Sequence, residues 1–432
     1  MRANWSNWYR LVSYCRSSLW IVPFFAILCE QVLIRITDRL NPMITWRFYD
    51  MDVNSAMAVL NAIVTLTLSL IVFTFGSMLV AIQVAGGQLT PRIIATTLLP
   101  NNVVRFSVGL FTFTMVYGIG TIGRIGQGLN HLAMAVTVVL GLLCIVSFLY
   151  LIDYAARLLR PVSIMTHVGE SGLKVIESVY TRKRAKSLPP ENRLQLPDRP
   201  HQLVYHRGSS GIVLAVNFDQ LVAAAQRADC IIELVPHVGD FIAVDEPLFQ
   251  VYGGEIADED DLRATIALGS ERTMEQDPMF AFRILVDIAI RALSPAINDP
   301  TTAVLGIDQL HRLLRKVGRR HTQDEHIKDA SGVVRVVWRT PNWEDFVRLA
   351  IAEIRLCGAG NPQIARRLRA MIENLIQTLP ERRHEALRLE LDLLDRSIDR
   401  LYALPEDAAM ARVADTQGLG ASGTGTVENA RT

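Results

Sequence analysis

The chain has 432 residues, of which 50% are apolar and 20% charged, with a mean hydropathy of +0.24. Charge this sparse, with a net of +1, excludes a broad electrostatic footprint for nucleic acid or an acidic partner. Five cysteines, Cys15, Cys29, Cys144, Cys230 and Cys357, stand far apart and form no CxxC pair, which excludes a disulfide framework and a thiolate zinc site.

The first apolar stretch, Leu19 to Ile36, is interrupted by Pro23, Glu30 and Arg35. No small-residue cleavage site follows it and three further apolar runs do, so it predicts an uncleaved spanning helix rather than a signal peptide. Glu30 sits towards its outer end, where a snorkelled pair with Arg35 is expected. Val53 to Pro91 holds no Asp, Glu, Lys or Arg over 39 residues, Phe106 to Gly123 is uncharged over 18, and Leu132 to Ile152 over 21. Each meets the roughly 20 residues that cross about 30 Å of hydrocarbon. Four transmembrane helices are therefore expected, at about 19–36, 56–85, 104–123 and 132–153, in a membrane domain covering residues 1–160.

Positive charge is retained on the cytoplasmic side, so the basic residues near the span ends set the orientation. With the N-terminus inside, Arg2, Arg10, Arg16, Arg92, Arg105, Arg157, Arg160, Lys174, Arg182, Lys183 and Arg184 fall inside, and Arg35, Arg39, Arg47 and Arg124 outside. That bias predicts a multi-pass protein of the inner membrane with both termini cytoplasmic.

At 100° per residue, Asn54, Asn61, Thr65, Ser69, Gly76 and Gln83 fall within one stripe about 80° wide along the second span. Two readings stay open: a water-filled path lined by amides and hydroxyls, or a helix-packing seam of small and hydroxyl residues. Spans two, three and four carry no ionisable group in their interiors, which argues against proton-coupled transport. Between spans two and three, Thr90, Pro91 and Pro100 predict a short surface helix. Gly118, Gly120 and Gly123 spell G-x-G-x-x-G, but on a membrane helix and not between a strand and a helix, so no dinucleotide site is expected.

Beyond the last span, residues 161–200 read as a juxtamembrane helix followed by a proline-rich linker. The hydrophobic period then shortens. Leu203–Tyr205, Gly211–Val216, Cys230–Val235, Phe241–Val244 and Leu248–Tyr252 read as strands of a small β-rich domain at 201–270, with one helix, Phe218–Gln226, among them. The segment IELVPHVGDFIAVDEPLFQV resembles the sandwich of biotinyl and lipoyl carrier domains in fold alone, since no turn holds a carrier lysine. A mostly helical domain follows at 271–412, where Val333–Trp338 can add a strand. Its last helix, Arg382–Leu404, has a leucine stripe suited to a bundle or a subunit contact, and 413–432 reads as a disordered tail. The overall class is a four-helix membrane protein with an α+β cytoplasmic region, a small β-sandwich-like part and a helical bundle.

Two junctions share one design. Asp277-Pro278 and Asn298-Asp299-Pro300 each precede a helix, with aspartate as N-cap and proline at the first helical position. Together with Arg272 and Ser294, these residues form a candidate ligand site or a structural corner.

The segments ERTMEQDPMFAFRILVDIAIRALSPAINDPTTA and SLIVFTFGSMLVAIQVAGGQLTPRII resemble a bacterial family of predicted membrane proteins carrying a domain of unknown function. The likeness runs from the first span to about residue 400. It implies four spans with a cytoplasmic region, and marks Gln83, Gln88, Pro91 and Arg92 in one motif. In the other it marks Arg272, Asp277, Pro278, Asp287, Ser294, Pro295, Asn298, Asp299 and Pro300.

No nucleophile elbow, P-loop or kinase signature is present. The histidine pairs His201/His206 and His321/His326 have the wrong spacing for one helix face, and the acidic run Asp258 to Asp261 lacks the ligand spacing of a calcium loop. No catalytic residue, metal or cofactor is expected. The expected partners are the lipid bilayer, further copies of the chain and an unidentified small ligand or ion. The expected function is an oligomeric channel-like protein with a cytoplasmic regulatory or assembly domain; the alternative is a non-conducting membrane-anchored sensor or scaffold.

Overall fold

The computed structural model describes residues 5–18, 20–41, 52–88, 102–125, 130–158, 160–180, 196–197, 199–322 and 325–420. The expected surface helix near Thr90 and most of the linker lie outside them. The chain divides into two compact units, one made of Tyr14–Gly87 and Pro91–Ile164, the other chiefly of Met1–Ser13 and Met165–Thr432. The first helix, α1 (Trp5–Ser17), belongs to the second unit as far as Ser13.

The first unit holds α2 (Ile21–Leu40), α3 (Val53–Gln88), α4 (Asn102–Arg124) and α5 (His131–Leu158). In hydrocarbon every backbone N–H and C=O must be paired within the segment, so long charge-free runs form helices. Among the described residues three helical stretches are long and apolar enough to cross a membrane: Val53–Val84, Asn102–Arg124 and His131–Arg157. The segment expected as the first span is helical too, but Glu30, Arg35, Asp38 and Arg39 dilute its apolar character.

Helix α4 is the centre of this unit. Its buried face carries Ser107, Gly109, Thr114, Gly118 and Thr121 beside Phe111 and Tyr117, the small and hydroxyl residues that let membrane helices approach closely. A methyl group on Gly109 would stand 2.7 Å from Val22 of α2, and one on Gly118 would stand 2.9 Å from Val64 of α3. Ser147 of α5 donates to Ser107 at 3.0 Å, and Cys144 to Thr114 at 3.2 Å. Gly118 and Gly120 of the G-x-G-x-x-G pattern thus belong to a helix-packing surface, while the Cβ position of Gly123 meets nothing within 4 Å. Glu30 departs from expectation: it is 1% exposed, accepting a 2.6 Å bond from Gln31 Nε2, while Arg35 is exposed. Burial against α4 takes the place of the snorkelled pair. At the end of these helices the ion pair is Arg124 with Asp38, which also accepts from Asn130 at 2.9 Å.

Helix α6 (Pro161–Val179) leads into the second unit. Its sheets use β1 (Gln202–Tyr205), β2 (Gly211–Val216), β3 (Ile231–Leu234), β4 (Phe241–Ile242), β5 (Pro247–Tyr252) and β6 (Ile266–Gly269), with α7 (Phe218–Arg227) and α8 (Glu259–Arg263) between them. Then come α9 (Pro278–Ala292), α10 (Pro300–Gly318), β7 (Glu325–Lys328), β8 (Val334–Trp338), α11 (Trp343–Gly358), α12 (Pro362–Thr378), α13 (His384–Leu401) and α14 (Pro405–Ala411). One sheet runs β1-β5-β3-β8-β7, with β3 and β8 parallel, and the other runs β4-β2-β6. The larger sheet therefore crosses the boundary expected near residue 270. The sheets share one core, in which Ile232, Phe249 and Val336 meet Val213, Ile242, Ile266 and Leu221 of α7.

The helical layer follows its local signals. Asp277 accepts from the Phe280 N–H at 3.2 Å and Asp299 from the Thr302 N–H at 3.1 Å, so both expected caps form. Leu387, Leu394 and Ile398 of α13 are buried against the chain's own helices, whereas Leu389 and Leu401 of the same helix are exposed. Of the tail expected at 413–432, the described residues 413–420 are held by hydrogen bonds. Asp415 is fully buried and accepts from the backbone of Gln417, Gly418 and Gly420, while Arg366 Nε donates to the Val413 carbonyl at 3.0 Å. Buried polar partners, invisible in a glycine-rich composition, order this segment.

Candidate functional site

Two regions hold the residues singled out by sequence. On α3, Asn54, Asn61, Thr65, Ser69, Gly76 and Gln83 are all exposed. The opposite face is buried, with Ala56, Leu60, Thr67, Leu70 and Thr74 turned inward and Leu70 packed on Phe111 and Cys144. The stripe is therefore not a seam with another described helix of this chain. Ser69 Oγ donates to its own helix, at 2.9 Å from the Thr65 carbonyl, and the Cβ position of Gly76 has nothing within 4 Å. Val72 and Leu79 are exposed on the same side.

The second region is a cleft of about 480 Å³ in the second unit, enclosed by the β3–β4 turn, the start of α9 and one face of α11. Its lining combines apolar Val238, Met279, Pro341, Leu349 and Ala352 with His237, Asp240, Arg272, Asp277, Asp345, Arg348 and Glu353. Asp240 closes the turn, accepting from the His237 backbone N–H at 2.8 Å and lying 3.2 Å from its ring Nδ1. That hydrogen bond raises the His237 pKa against the opposing effect of burial. Burial pushes the Asp240 carboxyl up, but its bonds to His237 prevail and hold it below the usual carboxylate range. On α11, Arg348 donates to Asp345 at 2.8 Å, and Glu353 is held by Arg283 at 2.9 Å, which lowers the Glu353 pKa.

Asp277 lies at the base. It is 3% exposed, its Oδ1 caps α9, and its Oδ2 has no hydrogen-bond partner among the described residues. Burial raises its pKa to about 6 despite the opposing Arg272 charge. Gly239 crosses above it at φ +98°, where any Cβ would overlap Oδ2. Glycine is required twice over, for the positive φ and for the close approach.

The five residues expected as one ligand site or corner do not converge. Arg272 and Asp277 stand at the start of α9, whereas Ser294, Asn298 and Asp299 stand past its end, about 22 Å along a fifteen-residue helix. There they build a turn: Asn298 N–H donates to the Ser294 carbonyl at 2.8 Å, Asp299 N–H to Ala292 at 2.7 Å, and Asn298 adopts φ +48°. The sequence reading missed His237, Asp240, Asp345, Arg348 and Glu353. A local signal existed only for His237 and Asp240, three residues apart around a turn glycine; the α11 residues reach the cleft by tertiary packing.

A family model described as predicted membrane protein (DUF2254) matches residues 16–374. Uncharacterised proteins from Mycobacterium bovis and Mycobacterium tuberculosis are each 25% identical over 428 residues, covering 93% of this chain and 80% of their own. No solved structure matches the chain.

Proposed function

The chain belongs to the DUF2254 family of predicted membrane proteins, and from that premise we propose that it is an oligomeric, channel-like protein of the bacterial inner membrane. In this reading it crosses four times, α3 lines a shared path, and the second unit lies in the cytoplasm as its control or assembly region.

Parity supports the crossing number. Trp5 and Tyr9 of α1 pack on Leu214, Ala215 and Ala267 of the smaller sheet. The N-terminal helix and the sheet are then on one side of the membrane, and the chain between them crosses an even number of times. Three apolar helices make an odd count, so α2 supplies the fourth crossing. Packing against Tyr117 and Gly120 of α4 makes its buried Glu30 tolerable there.

The observation that carries the oligomeric reading is the outward-facing stripe. An amide left unpaired in hydrocarbon costs about 2–7 kcal/mol, and Asn61 meets no partner within the described chain. Stripes from several copies arranged around an axis would face one another or enclosed water, which removes that cost. The test pairs cross-linking with conductance. Ser69→Cys and Gly76→Cys proteins should cross-link between subunits in native membranes, and purified protein in planar bilayers should carry a current that Asn61→Leu changes. Absence of both cross-links and current overturns the reading. Cross-links without current would favour a non-conducting sensor or scaffold, a reading that the cleft of the second unit supports.

A further inference from the structure

We propose that the outward face of α1 is a membrane-surface anchor: Trp8 and Leu11 sit in the headgroup–acyl boundary of the phospholipid bilayer, while the neighbouring face of the same helix packs on the smaller sheet. The proposal rests on α4 being a membrane span and not on the channel reading, so its test gives the same answer whether or not the protein conducts.

Periodicity and burial define two faces on this helix. Trp8, Leu11, Val12 and Cys15 stand at i, i+3, i+4 and i+7, the spacing of an apolar stripe. Trp8 is 60% exposed and Leu11 54%. Trp5 and Tyr9 lie about 110° further round the helix. They pack on Leu214, Ala215 and Ala267, and the Tyr9 hydroxyl donates to Glu275. The sheet therefore occupies one side of α1 and leaves Trp8 and Leu11 uncovered among the described residues.

Two observations identify the occupant as lipid. Arg105, in the first turn of α4, donates from Nη2 to the Cys15 carbonyl at 3.0 Å. The C-terminal end of α1 is thus level with the end of a helix long and apolar enough to cross a membrane. Residues 18–20 alone separate α1 from α2, a reach of at most about 14 Å, and exposed apolar side chains continue past the join through Trp20, Phe24 and Phe25. At that depth a helix with an aromatic stripe lies along the interface, where an indole meets both apolar contact and water. A second copy of the chain is a poorer occupant. A stable protein interface buries roughly 800 Å² per partner, far more than one tryptophan and one leucine on a helix of 13 residues present.

The experiment replaces Trp8, Leu11 or Ser6 by p-benzoylphenylalanine, which on irradiation inserts into C–H bonds lying against it, in the full-length protein in native membranes. Ser6 stands on the side of α1 opposite the stripe. The same replacement at Val146, 63% exposed on the spanning helix α5, sets the yield of full lipid contact. Mass spectrometry should find phospholipid adducts at Trp8 and Leu11 approaching the yield at Val146 and several-fold above that at Ser6. Both stripe positions are exposed, so the bulky replacement leaves the fold intact. Adducts to a second protein chain at these two positions would overturn the proposal. Absence of lipid adducts there, the result for a helix standing off the membrane, would overturn it too, as would equal lipid yields at Ser6 and Trp8.

Discussion

Gly120 of α4 approaches Ile34 of α2 so closely that a methyl group on it would stand 2.7 Å from the Ile34 Cδ1 atom. Glu30 Oε1 would be 2.9 Å away from the same methyl group, so the site rejects bulk on two sides. Gly120→Leu should force α2 away from α4 and cost about 1–3 kcal/mol through overpacking. The check is the thermal midpoint of detergent-solubilised protein. Gly123→Leu is the control, because its Cβ position meets nothing within 4 Å. Equal midpoints for the two variants would refute the close α2–α4 seam.

The docking of Trp5 and Tyr9 on the smaller sheet makes a topological prediction. Protease-sensitive tags fused to the two termini should both survive protease treatment of intact spheroplasts and both be cleaved once the membrane is opened. One tag lost before permeabilisation would mean an odd number of crossings. Replacing Trp5 with Ala should leave this topology unchanged while making the N-terminal helix easier to cleave.

Asp277 gives the second unit a pH-dependent stability. Its pKa is raised by burial from 3.8 to about 6, so the folded state holds the proton more tightly than the unfolded state. The associated stability is complete below the unfolded value, declines as pH rises from 3.8 to about 6, and is absent above. Asp277→Asn removes the charge and keeps the cap. It should be more stable than the parent protein by about 3 kcal/mol at pH 7.5 and equal to it near pH 3.5, as followed by thermal unfolding. A variant less stable at pH 7.5 would show that the carboxylate is compensated.

Asp415 holds the strap over residues 413–420. Its carboxylate takes backbone N–H groups from Gln417 at 3.0 Å, Gly418 at 2.9 Å and Gly420 at 2.6 Å, while Arg367 donates to the Asp415 and Thr416 carbonyls. Asp415→Ala strands these buried donors and should cost about 1–3 kcal/mol. It should also expose the segment to limited proteolysis. Unaltered cleavage after this substitution would show that Arg366 and Arg367 suffice to hold it.

The features legible in the residues alone are those whose cause lies within a few positions or within one uninterrupted run. The charge-free stretches specify α3, α4 and α5 because an unpaired backbone is intolerable in hydrocarbon. Aspartate followed by proline specifies the starts of α9 and α10 because the cap is a bond to an N–H three residues on. Alternation between Gly, Pro and Asp specifies β1 to β5. The tertiary structure decided what depends on surfaces meeting across long separations. It brought β8 beside β3 and so closed a sheet over the expected boundary, set α11 opposite the turn that holds His237, and ordered the tail on α12. It also turned the α3 stripe away from the other described helices of its unit. Periodicity defines a face, but only packing decides what that face meets, because the alternative partners differ in contact and burial rather than in local backbone energy.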